Sequence, residues 1–109
     1  YRETLPAHIR VLFDRFHFLD MAVKVVGVGS VGTICIVGLF MAADNDPLFL
    51  QVKEARASVL EPYLGKSAYG DHGRRIVEGQ RLMQSASDAF LGWVERKQSA
   101  GRCSIRFCS

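Results

Sequence analysis

Ile9, Leu12, Phe13 and Phe16 recur at helical spacing behind Pro6, so residues 5–16 are predicted to form an amphipathic helix with the proline in its first turn. The pattern then changes. Lys24–Gly29 is a short β-branched run that ends in glycines, which predicts a strand running into a turn. Thr33–Met41 is apolar throughout, so periodicity alone does not separate a buried strand from a buried helix. Its β-branched Thr33, Ile34, Ile36 and Val37 favour the strand. Asp44-Asn45-Asp46-Pro47 reads as a turn, through Asx side chains that bond their own backbone and a proline that fixes φ. Leu48–Glu54 is the next strand, and strand, turn and strand predict a hairpin.

A loop containing Pro62, Gly65 and Gly70 follows. A second helix is predicted from about Gly73 to Ala89, capped by Asp71, with Ile76, Leu82, Met83, Ala86 and Phe90 as its apolar stripe. Gly92-Trp93-Val94 opens another strand. Helix, strands, helix, strand is the order of an α+β domain. The expected organisation is an N-terminal helical segment (1–23), a lobe built on an antiparallel sheet (24–95) and a disordered tail (96–109).

Length changes this picture little: 109 residues support one small domain and one modest core. The net charge of +3 permits a phosphate-rich ligand without requiring one. The 14 Lys and Arg residues are spread along the chain, apart from Arg96, Lys97, Arg102 and Arg106, so nucleic acid is not an expected partner. Cys35, Cys103 and Cys108 lack metal-ligand spacing and read as reduced thiols of a cytoplasmic protein. His8, His17 and His72 form no ligand pair. From Val25 to Ala43 no charge occurs, a length that fits a short membrane helix, but three of its four glycines have another use and a membrane is not an expected partner. A chain that opens on Tyr1 rather than methionine is expected to be a fragment.

That use is phosphate binding. Gly27-Val28-Gly29-Ser30-Val31-Gly32 is a G-x-G-x-x-G, in which missing Cβ atoms let backbone amides approach an anion closely. The competing reading is a plain tight turn between strands. In a dinucleotide-binding fold the motif opens a helix and a later acidic residue holds the ribose, a place Glu54 could take. In a kinase-like lobe the motif joins two antiparallel strands, and a lysine on the next strand reaches the phosphates while a helix glutamate pairs with it. Lys53 fits that lysine: it lies on "LFLQVKEA", with Phe49 and Gln51 on its side of the strand. Glu78, on the second helix, is the candidate partner. The plainer alternatives are a solvated edge-strand lysine and a helix carboxylate paired with Arg74 or Arg81. Ser30 and Thr33 add hydroxyls near the loop.

"KVVGVGSVGT", "DPLFLQVKEARASVLEPYLGKS" and "HGRRIVEGQRLMQSASDAFLGW" resemble the bacterial domain of unknown function family 2252 over roughly residues 1–93. That family is grouped by distant similarity with the protein-kinase-like superfamily. The resemblance implies a kinase-like nucleotide-binding lobe in which Gly27, Gly29, Ser30 and Gly32 form the phosphate loop, Lys53 binds phosphate and Glu78 pairs with the lysine. It further implies that the intact parent uses ATP and magnesium, with metal-binding residues elsewhere, and that this piece works with the remainder of the parent and is inactive alone. The acceptor is not implied. Beyond Trp93, "VERKQSAGRCSIRFCS" departs from the family, which continues with an aromatic-rich strand. The other readings are a dinucleotide-binding module, with Thr33–Phe40 helical and the sheet parallel, and a non-catalytic interaction domain.

Overall fold

The computed structural model describes residues 1–25, 33–43, 45–98 and 101–109; the side chains of 98 and 101 are outside the description. A 3-10 turn (Arg2–Thr4) leads into α1 (Ala7–Phe13), β1 (His17–Val23), β2 (Cys35–Met41) and β3 (Pro47–Ala55). A one-turn α2 (Glu61–Leu64) and α3 (His72–Met83) follow, then β4 (Gly92–Gln98) and β5 (Gly101–Cys108). The five strands form one sheet in the order β1-β2-β3-β5-β4, and each neighbouring pair is antiparallel. This is an α+β fold.

The β2–β3 hairpin lies where the pattern places it. Asn45 takes a positive φ of 54°, a conformation asparagine tolerates better than most residues, and Ala42 N–H donates to the Asp46 carbonyl at 3.0 Å to close the turn. Elsewhere the boundaries move. The predicted helix over 5–16 shrinks to α1: Pro6 stands at its N-cap, and after Phe13 the backbone tightens into turns in which Arg15 N–H donates to the Leu12 carbonyl and Phe16 N–H to the Phe13 carbonyl. Of the strand predicted at Lys24–Gly29, residues 26–29 lie outside the described residues; the strand before them is β1, within the segment expected to be helical, and its register with β2 runs to Val23 and Ile36. Thr33–Phe40 is not helical and the sheet is not parallel, so the dinucleotide-binding alternative lacks its two structural requirements.

The tail is the largest correction. Residues 101–108, expected to be disordered, form β5, inserted between β3 and β4 with ladder hydrogen bonds on both sides. Long-range pairing supplies an order that local composition does not announce.

Residues paired across an antiparallel ladder point to the same face. One face therefore carries Ile36, Phe40, Leu50, Val52 and Phe107. The N-terminal segment covers one end of it: Tyr1 stacks on Phe107 with ring centroids 4.1 Å apart, and Phe13 packs against Tyr1, Phe40 and Phe90. Leu50, beneath this cluster, is fully buried. Thr4 ties the same segment to edge strand β4, accepting from Trp93 N–H at 3.0 Å through its hydroxyl.

The second face is crossed by α3. Asp71 caps this helix, accepting from Arg74 N–H at 2.7 Å. It ends at Met83 rather than Ala89, where Gln84 turns to an extended conformation. The buried helical positions are Gly73 and Val77, whereas Leu82 and Met83 of the predicted stripe are exposed. Gly73 explains the choice of face: a Cβ there would stand 3.0 Å from both the Ile105 carbonyl and the Trp93 Cβ, so only glycine lets the helix approach so closely.

Candidate functional site

The centre of the α3-covered face is a row of side chains in register across four strands. Cys35 on β2 pairs with Lys53 on β3, Lys53 with Arg106 on β5, and Arg106 with Trp93 on β4. Lys53 thus lies on the central strand, not at an exposed edge, and is half-buried. Cys35 beside it is buried at 2 % exposure. In the next row Gln51 faces Cys108, whose thiol donates to the Gln51 carbonyl at 3.8 Å. Burial pushes the Cys108 thiol pKa up; Lys53 and Arg106 pull it back, and Asp88 and Cys35 add to the rise.

The helix presents its polar residues to this row. Gln80 Oε1 accepts from Arg106 Nη1 at 3.1 Å. Arg81 lies over the Trp93 ring at 5.8 Å and donates to the Leu91 carbonyl at 2.8 Å. Glu78, the predicted partner of Lys53, is paired with Arg81 at 3.5 Å. Among the described residues no carboxylate lies within ion-pair distance, 4.0 Å, of either Lys53 or Arg106.

Gly27, Gly29, Ser30 and Gly32 lie outside the described residues. Their surroundings are described. Lys24 N–H donates to the Cys35 carbonyl at 2.8 Å, so the two strands are still bonded where the glycine segment leaves and returns. Cys35 is also the cross-strand neighbour of Lys53. The lysine therefore stands one strand away from the base of the G-x-G-x-x-G connection. Further along the same face is a shallow hollow of about 200 Å³, lined by Asp20, Met21, Ala22, Val37, Leu39 and Phe49.

Arg106 and Cys108 are the residues of this cluster that the sequence reading missed, because their segment was assigned to a disordered tail. The available signal was alternation: Cys103, Ile105 and Phe107 against Ser104, Arg106 and Cys108. Among the described residues no group of three or more His, Cys, Asp or Glu side chains is placed to hold a metal ion. No helix of the described residues is long and apolar enough to cross a membrane.

The arrangement is thus a half-covered antiparallel sheet carrying two neighbouring cations. The family model of an uncharacterized protein conserved in bacteria (DUF2252) matches residues 1–106, and the chain belongs to that family. The match takes in most of the segment beyond Trp93 that had looked divergent. No curated protein matches the chain. No solved structure matches it.

Proposed function

We propose that the chain forms the phosphate-gripping part of a kinase-like nucleotide-binding lobe, with the G-x-G-x-x-G connection and Lys53 as its grip. The observation that carries this reading is the position of Lys53. It occupies β3, the second strand after the glycine-containing connection, in register with Cys35 at the base of that connection, on the face that the following helix crosses. Strand, glycine connection, strand, lysine strand and helix is the order such a lobe requires. An ammonium held half-buried without a carboxylate suits a phosphate better than water alone does, because an ionic partner restores what burial removed.

Glu78 is held by Arg81, so pairing with Lys53 requires the carboxylate to exchange one cation for the other as nucleotide binds. ATP and magnesium belong to the proposal for the whole protein. Metal ligands would come from residues other than a cluster within the described part, and the acceptor stays open. The cytoplasm, where nucleoside triphosphates abound, is the proposed place of action.

Calorimetric titration of ATP into the full natural protein that carries this sequence tests the reading. Lys53→Ala is expected to weaken binding by roughly tenfold or more, the usual consequence of losing a charge-assisted contact. Unchanged affinity in that variant, with its fold intact by circular dichroism, would overturn it.

A non-catalytic interaction domain is favoured by one feature: Val59, Tyr63 and Leu64 around α2 are 84, 84 and 78 % exposed. That reading expects no triphosphate binding at all.

A further inference from the structure

Two cations face each other across the β3–β5 ladder. Lys53 and Arg106 are direct cross-strand partners on the α3-covered face, and both are only partly accessible. Like charges placed opposite one another on a sheet repel, and the repulsion grows as water is excluded. Proteins usually answer such a pair with a carboxylate. Here the nearby acids are engaged elsewhere: Glu78 with Arg81, Glu95 with Arg102, and Asp88 with Ser109. Glu54, the strand neighbour of Lys53, points to the opposite face and pairs with Arg56. The group that does reach Arg106 is the neutral amide of Gln80, which orients the guanidinium without cancelling its charge. Both cations also lie close enough to Cys108 to lower its thiol pKa, so they share one small region.

We infer that Lys53 and Arg106 together form a binding site for a phosphate-class anion, with Arg106 as a second phosphate ligand and Gln80 as the residue that positions it. The inference rests on the proposed lobe for the identity of Lys53 and deepens it: the site takes at least two neighbouring phosphate groups, or one phosphate held from two sides. The planar guanidinium supplies paired N–H donors and the ammonium a point charge, a combination that suits a di- or triphosphate. The source is either the chain of phosphates on a nucleotide or a free polyphosphate.

Titrations of the full natural protein with inorganic pyrophosphate, inorganic tripolyphosphate and ATP, each without added metal, test this. Arg106→Gln is expected to weaken each of the three by about tenfold, as loss of a charged hydrogen bond does. Gln80→Glu supplies the missing carboxylate 3.1 Å from the guanidinium in a nearly isosteric side chain, so it should weaken anion binding while leaving the fold at least as stable. If Lys53→Ala weakens binding while Arg106→Gln and Gln80→Glu do not, the paired site is overturned and the lobe stands. If none of the three substitutions changes affinity, both are overturned. Tighter binding of ATP than of tripolyphosphate identifies the nucleotide as source; equal affinity identifies the phosphate chain alone as the ligand. Circular dichroism and urea midpoints of each variant separate lost binding from lost structure.

Discussion

The two faces of the sheet solve opposite problems. On the N-terminal side Tyr1, Phe13, Phe40 and Phe107 meet ring to ring over a fully buried Leu50. On the α3 side Lys53, Arg106, Gln51 and Cys108 share a partly enclosed space with two charges left unanswered. The first face is made for stability, because apolar burial and aromatic contacts require nothing further. The second gives up stability, since a buried charge without a partner costs free energy. The proposed phosphate would offset that cost by answering both charges at once.

Three measurements break or sharpen this contrast. The largest effect is expected at Leu50→Ala, which opens a cavity under the aromatic cluster and should lower unfolding free energy by about 2–5 kcal/mol in urea titrations. A loss below about 1 kcal/mol would show that the core is centred elsewhere.

Tyr1→Phe comes next. The phenol donates to the Phe90 carbonyl, and its removal should cost about 1 kcal/mol at neutral pH. Burial first, then the Asp88 and Cys108 charges, raise the Tyr1 pKa above its ordinary 10.0. A folded-state pKa raised in this way contributes stability fully present below pH 10 and lost as pH climbs beyond it. Thermal midpoints between pH 7 and pH 11 should therefore fall more steeply for the native chain than for the variant. Equal slopes would place the phenol in water rather than in the cluster.

The smallest effect is expected at Lys53→Met. Removing one of two facing cations while keeping the aliphatic stem should raise stability by a few tenths to about 1 kcal/mol. A marked destabilisation would mean that the lysine holds the sheet together, and the contrast between the faces would disappear.

How far the sequence reveals these two faces depends on which elements rest on local signals. The β2–β3 hairpin carries its own instructions in Asn45, Pro47 and the β-branched residues of β2, and α3 announces its start through Asp71. Lys53 could be singled out because an isolated cation on an apolar strand is unusual. The buried face of α3 could not be read from its large apolar residues. Leu82 and Met83 extend beyond the sheet, while a glycine decides which side approaches closest. β5 was missed for a different reason: its short alternation is a weak local signal, and its order comes from two flanking strands, one of them far away in sequence. With β5 hidden, Arg106 could not be placed beside Lys53, and half of the cationic pair went unseen.

The outer rim of the sheet has a consequence of its own. All seven residues of β1 are exposed, and Phe18, Met21 and Val23 would offer a foreign extended peptide a ready surface on which to stack. The register slips between Phe18 and Asp20, and the Asp20 carboxylate already captures the Met21 amide at 2.8 Å. An incoming strand would meet broken spacing, one donor already taken and an anion to desolvate. What looks like a flaw in the ladder thus acts as a guard against fibril-like stacking of one copy onto the next.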